Sequence, residues 1–470
     1  MLPTPVNYAI YPSVVPADTV VEMIVVPCEK SFLLFPDVTY TLTLIPVNGD
    51  EDWYHDPHNH TLLTARAEDG VLRFTYTFPG EQEHVILLAR EGEKPLAELS
   101  VYSLYPDLLA LRPLKGDFHA HSYRSDGKRD PSALAGHFRE QGYDFFALTD
   151  HNRFYPGAEI DETYAGVKMG FARVTGEEVH APESVLHIIH VGGKASVAGR
   201  YVTDLETYEK EVADCAARVP ADVPEVYRDR YARAMWTTEQ IHAVGGLAIY
   251  PHPYWRPGKS RAFHAQDDFA RLMLKSGMFD AYELVGGMGQ EGINRSIALW
   301  AELRAEGVNI PVVGSSDVHG IDKAPTFPAL YTVCFAATND NAAIIEAVRT
   351  GMSVAVEMTG TDYTCEKRCY GSLGLVGYAH FLLRRYFPQL QRICQGEGVA
   401  MRAYAMGEAD AALVELQAEQ AENFYLRFFG RLAPVLPDAA MREQVARWRE
   451  IQKAGPGGKG SLVPGTSMQL

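Results

Sequence analysis

Six times in the middle of this 470-residue chain a strand-like apolar segment stops and delivers His, Asp or Glu. Ligand-type residues this far apart become useful only if the fold gathers the strand ends. The first segment is Asp117-Phe-His119-Ala-His121-Ser-Tyr-Arg-Ser-Asp126-Gly127, behind the apolar stretch Leu109 to Leu114. Thr149-Asp150-His151-Asn152 closes Tyr143 to Leu148, and Gly176-Glu177-Glu178-Val179-His180 follows another such stretch. Leu186-His187-Ile188-Ile189-His190-Val191 reads as a strand carrying histidine. Ala248-Ile249-Tyr250-Pro251-His252-Pro253 and Val312-Val313-Gly314-Ser315-Ser316-Asp317-Val318-His319 complete the series. Eleven of the 16 histidines fall between 119 and 319, a concentration that random placement does not favour.

On a strand, side chains i and i+2 point the same way, so His119 and His121 converge on one point, as two imidazoles must to hold one cation. Asp126 adds a carboxylate on the following turn. In a barrel of parallel strands the C-terminal strand ends meet at one mouth. Mixed nitrogen and carboxylate ligands suit zinc, iron or manganese. The candidates exceed what one tetrahedral structural zinc uses and fit a cluster of two or three metal ions bridged by carboxylates.

Taken in order, HxH…SDG, TDHN, GEE, an isolated strand histidine, PHP and GSSDVH resemble the polymerase-and-histidinol-phosphatase family over residues 111–360. The resemblance implies a distorted (β/α)7 barrel with a trinuclear metal site and phosphoesterase activity. Carried over position by position, it implies that His119 and His121 bind a first metal, and Asp126 and His151 an outlying one. Glu178 is the implied bridge, His187 and His252 serve a second metal, and Asp317 and His319 close the site. Glu177 stands as the alternative to Glu178, and His190 to His187. The family's Gly-x-Glu spacing, and its histidine followed by apolar residues and a glycine, favour Glu178 and His187. His180 and His190 exceed the usual set and read as supporting or substrate-facing groups, His180 as a catalytic candidate.

Such a cluster generates a metal-bound hydroxide near neutral pH and neutralises phosphoryl charge, so neither Ser nor Cys need act as nucleophile. No G-x-S-x-G is present. Asp150 reads as a residue orienting a histidine or metal-bound water. Arg124, Arg153, Lys194 and Arg256, each beside a motif, are candidate phosphate clamps. The expected activity is hydrolysis of a phosphate monoester on a small phosphorylated molecule. A metal-dependent amide, ester or carbamate hydrolase is the second reading, and a non-catalytic ligand-binding module the third.

A net charge of −17 argues against a nucleic-acid polymer or an anionic membrane as partner. No apolar run reaches transmembrane length, and Met1-Leu-Pro-Thr-Pro-Val-Asn lacks a signal core. Six scattered cysteines suit reduced thiols and a cytoplasmic protein. Nothing in the sequence sets the oligomeric state. Residues 1–110, with β-branched and aromatic runs between turn residues, predict an all-β sandwich. Their Asp56-Pro57-His58-Asn59-His60 reads as a polar loop. Residues 111–365 predict the metal-hydrolase barrel, with two helices between 204 and 244 as an insertion. Residues 366–470 predict a helical extension ending in a tail of linker composition. Gly286-Gly-Met-Gly289 reads as a turn, with Glu283 before it a further site-facing carboxylate. His264 carries no pattern.

Overall fold

The computed structural model describes residues 7–49, 60–322, 325–360 and 365–453. The expected loop Asp56 to Asn59 and the tail from Ala454 lie outside the described residues. The chain forms two compact units, Met1–Leu109 with Asn423–Leu470, and Ala110–Glu422.

The first unit holds β1 (Tyr8–Tyr11), β2 (Val14–Pro16), β3 (Val20–Pro27), β4 (Thr39–Pro46), β5 (Thr61–Glu68), β6 (Val71–Thr77), β7 (Gln82–Arg90) and β8 (Pro95–Leu104). They form one eight-stranded sheet in the order β1-β3-β6-β5-β4-β7-β8-β2. Alternate residues such as Tyr40, Leu42 and Leu44 on β4, Met23 and Val25 on β3, and Leu99 and Val101 on β8 meet in a single core. One sheet whose distant strands share a core is curled on itself, so the expected sandwich of two sheets is a single closed-up sheet. The helix Ala439–Lys453 belongs to this unit, where Arg449 pairs with Asp37 at 2.6 Å and Arg442 with Asp69 at 2.8 Å. Of the described residues after 365, those up to Glu422 fall in the second unit and those from Asn423 in the first.

The second unit is mixed α/β. Its strands are β9 (Arg112–Asp117), β10 (Phe145–Ala147), β11 (Ala172–Val174), β12 (Gly176–Val179), β13 (Ile188–Val191), β14 (Leu247–Tyr250), β15 (Ala281–Val285), β16 (Val312–Gly314), β17 (Leu330–Ala336), β18 (Ser353–Thr359) and β19 (Glu366–Tyr370). In place of one ring of seven parallel strands there is a six-stranded sheet, β11-β10-β9-β17-β18-β19, and a five-stranded sheet, β12-β13-β14-β15-β16. β9, β10 and β11 run parallel, as do β14, β15 and β16. β13 is antiparallel to both neighbours. The reason is local: the link from β12 to β13 is a short loop without a helix, and a parallel return needs a crossover of a dozen or more residues. The sheets meet twice. β11 runs into β12 across Thr175, and Thr332 Oγ1 on β17 donates to Gly314 O of β16 at 2.7 Å. A common core takes Leu114 and Phe145 from one sheet and Ile189, Ile249 and Val313 from the other.

Helices follow the strands as the sequence signals. Pro131–Glu140 opens at Asp130, whose carboxylate accepts from the Ser132 and Ala133 N–H groups. Leu205–Arg218 and Arg228–Ala243 form the expected insertion between β13 and β14. Residues 366–370 are an edge strand instead of the start of a helical region, because Glu-Lys-Arg-Cys-Tyr has no apolar face to announce a strand. Helix Phe387–Ala405 docks on Pro131–Glu140 through buried Arg139, whose Nε donates to Glu397 at 2.7 Å while Nη1 reaches Asp144 at 3.1 Å. No helix among the described residues is long and apolar enough to cross a membrane. The six cysteines are free thiols.

Candidate metal centre

Glu178 is fully buried at the end of β12 and stands at the centre of six imidazoles. Its Oε2 lies 3.4 Å from His119 Nε2, 3.4 Å from His121 Nε2 and 2.7 Å from His151 Nδ1. Its Oε1 lies 2.8 Å from His187 Nδ1, 3.3 Å from His252 Nε2 and 3.5 Å from His180 Nε2. Beside it, Asp317 Oδ1 is 3.2 Å from His119 Nε2, 3.1 Å from His121 Nε2 and 3.7 Å from His319 Nδ1. Asp126 faces His151 at 3.4 Å and His319 at 3.3 Å. All nine residues that the family resemblance implies as ligands therefore converge, and His180 joins them.

The strand ends explain the convergence. His119 and His121 follow β9, and their rings sit 5.1 Å apart on one side of the chain. Ala120 between them bridges to Val318, which sets Asp317 and His319 against the same pair. His151 follows β10 and bridges to Glu178. His252 and Asp317 adopt left-handed backbone, with φ of 23° and 51°. Such conformations cost about 1–3 kcal/mol each and persist where the surroundings fix them, as at ligand clamps.

The donor atoms fit cations better than they fit one another. His119 Nε2, His151 Nδ1, His180 Nε2, His187 Nδ1 and Glu178 Oε2 are buried and make no hydrogen bond, although they crowd together. Buried polar atoms left unpaired are costly in a folded protein, and a metal ion among them would displace their protons and satisfy them together. Among the described residues, four sets of donors have atoms within 4.8 Å of one another: His121, Asp126, His151 and His319; His119, His121 and Asp317; His119, Glu178 and His252; and His151, Glu178 and His180. Burial alone would raise the Glu178 carboxyl, but the facing histidines, His119 first, hold it far below its usual range. Asp317 and Asp126 are likewise held low by the histidines that face them. Burial pulls His151 down, yet Asp126 and Glu178 outweigh it and lift the ring to about 10. Burial dominates at His187, which falls to about 3 and is a neutral donor.

The alternatives left open by the sequence are separated in space. Glu177 and His190 lie on the other face of their strands, with His190 Nδ1 and Glu177 Oε1 3.2 Å apart. Asp150 accepts from Ser122 N at 2.9 Å, Ser122 Oγ at 2.6 Å and Ser125 Oγ. It anchors the turn that presents Asp126, where the sequence suggests a partner for histidine or water. Of the four candidate clamps, Arg124 is tied to Glu159 at 2.7 Å and Arg256 to Glu291 at 2.8 Å. Lys194 lines a separate cavity of about 580 Å³ with Phe154, Thr175 and Arg349. Arg153 is exposed two residues beyond His151. Sequence reasoning passed over His264, whose ring lies 4.8 Å from His187. It gets there by backbone closure, His264 N to Trp255 O at 2.7 Å and Ala265 N to Pro253 O at 2.8 Å, which leaves no periodic signal.

No family model matches the chain. Among curated proteins, the DNA polymerase/3'-5' exonuclease PolX of Bacillus subtilis (strain 168) is 34% identical over 83 residues, which are 17% of this chain and 15% of that protein. The chain therefore spans only a small part of this relative. Among solved structures, a two-domain protein from Bacteroides vulgatus, described as containing a predicted PHP-like metal-dependent phosphoesterase, is 18% identical with a TM-score of 0.35, covering 52% of this chain and 65% of that one. A putative metal-dependent phosphoesterase from Bifidobacterium adolescentis is 18% identical with a TM-score of 0.31, covering 44% of this chain and 88% of that one.

Proposed function

We propose that the chain is a metal-dependent hydrolase that cleaves a phosphate monoester on a small molecule. The observation that carries this reading is the burial of ionised Glu178 among six imidazoles whose facing atoms mostly lack hydrogen bonds. His121, Asp126, His151 and His319 would hold one cation and His119, His121 and Asp317 a second, and Glu178 with His187 and His252, which both face its Oε1, would hold a third, zinc, manganese or iron suiting the donor set. Bound cations of this kind acidify a coordinated water and offset the charge that builds on a phosphoryl group in the transition state. The chain's own part is to fix the donors. Buried Glu178 spans both groups of histidines, and Asp150 pins the Asp126 turn through two serines. Arg153, exposed two residues beyond His151, would meet the leaving or spectator part of an anionic substrate. The assay is phosphate release from a panel of small monoesters after manganese, iron or zinc is restored to chelated protein. Release that stays at background with every metal refutes the phosphatase.

The pairing of Arg124 and Arg256 with Glu159 and Glu291 favours a second reading on the same site. With two of four cations neutralised, the substrate need carry less negative charge, as in an amide, ester or carbamate. The same protein against aryl esters and anilides separates the two.

A further inference from the structure

Among the described buried carboxylates that the nine implied ligands leave out, Glu283 is the one whose oxygen faces a ring nitrogen of an implied ligand, His119. Glu283 sits on β15, and its Oε2 lies 2.9 Å from His119 Nδ1, with both side chains sealed from solvent. A carboxylate only accepts, so the imidazole donates. His119 has its other nitrogen, Nε2, turned to Glu178 and Asp317. Glu283 belongs to none of the four donor sets, so it does not share their centre. We infer that Glu283 is a positioning residue: it holds the proton of His119 on Nδ1, fixes the ring and leaves the Nε2 lone pair facing the metal centre.

The backbone around Glu283 is shaped for this task. The pairing of β15 with β16 shifts register between Glu283 and Val285, which marks a bulge, a device that re-aims a side chain. The next residues are Gly286 and Gly287. A Cβ on Gly286 would fall 1.9 Å from Glu283 Oε1, and one on Gly287 would fall 2.0 Å from Asp317 Oδ2. The two glycines leave space for two carboxylates, one behind a histidine and one in the centre. An imidazole that donates one N–H to a carboxylate has a fixed tautomer and a more basic second nitrogen, and losing that partner typically weakens metal affinity roughly 10- to 100-fold. Glutamine at this position is isosteric but offers a neutral oxygen, and it can turn its amide donor toward the ring.

The inference rests on the metal-centre reading, and the experiment separates the two. Zinc uptake by the full chain is measured by competition with a chromophoric chelator, for wild type and Glu283→Gln, together with melting in chelator and the visible absorption of the cobalt(II) form. The expected result is an unchanged chelated melt, a loss of affinity at one site by roughly 10- to 100-fold and an altered cobalt band. Wild type that takes up no zinc overturns the metal centre itself. Equal affinity and equal cobalt spectra in the two proteins overturn the role of Glu283 alone. A second measurement covers a variant that does not fold: long-range proton–nitrogen correlation on zinc-loaded wild-type protein with ¹⁵N-histidine, His119 being assigned by its loss in His119→Gln. A protonated Nδ1 on His119 supports the inference, and a protonated Nε2 overturns it.

Discussion

Glu177 and Glu178 are sequence neighbours on one four-residue strand, and they serve opposite faces of it. Glu178 meets His151 at 2.7 Å and His187 at 2.8 Å. Glu177 meets His190 and Ser196 Oγ and accepts from the Val197 N–H. The two-residue period of a strand forces this division. One carboxylate faces the candidate metal centre and the other ties down the helix Ala198–Thr203.

The division predicts different phenotypes for a matched pair of variants. Glu178→Gln should reduce bound metal and any hydrolysis by at least roughly a hundredfold while far-UV circular dichroism is unchanged. Glu177→Gln should keep its metal and lose about 1–3 kcal/mol of stability, the cost of leaving buried donors poorly matched. Metal analysis and denaturant melts read both. A Glu177 variant that loses its metal while Glu178→Gln retains it would reverse the assignment.

Metal removal should loosen the protein. A ligand that binds only the folded state stabilises it by about 2.7 kcal/mol at a hundredfold excess over its dissociation constant. Chelated protein should melt several degrees lower and recover when zinc or manganese is returned. His252→Ala or Asp317→Ala should blunt that recovery. Identical melts with and without metal would count against the centre.

The arginines make a third test. Arg153→Ala should raise KM for a monoester about tenfold with little change in kcat, as loss of a charge-assisted hydrogen bond does. Arg256→Ala and Lys194→Ala should leave KM where it was, because one side chain is held by Glu291 and the other lines a separate cavity. Steady-state kinetics on one substrate decide it.

The first unit carries its own acid sensitivity. His84 is buried, with Nε2 2.9 Å from Ser103 Oγ, and burial lowers its pKa from 6.5 to about 4. Between those values the unfolded chain binds more protons than the folded one, so stability falls as pH drops from 6.5 toward 4. The loss should approach roughly 3 kcal/mol, at 1.36 kcal/mol per pH unit. His84→Gln should flatten that slope in urea melts taken across the range.

Much of the site could be read in the sequence because its chemistry sits at strand ends. His119, His121, His151, Glu178, His252 and Asp317 each follow an apolar run, and the fold delivers them together. The resembled family's spacing favoured Glu178 and His187 over Glu177 and His190, while the strand phase that sends the two carboxylates to opposite faces depends on where the strand Gly176–Val179 begins. His264 was invisible because a loop closure, with no periodicity, carries it in. The arginine partners were also hidden, since Glu159 and Glu291 lie 35 residues away from Arg124 and Arg256. In the fold, apolar alternation marked most strands, but the edge strand Glu366–Tyr370 is polar and the reversal of β13 depends on loop length.

The donors divide by origin. His119, His121 and His151 come from the six-stranded sheet, and Glu178, His187, His252 and Asp317 from the five-stranded one. Ions seated among them would act as a clasp across that joint. With the clasp open, amide hydrogens near Ala120, Thr149 and Val318 should trade with deuterium soonest, so ion occupancy would be legible in the rhythm of the backbone as well as in turnover.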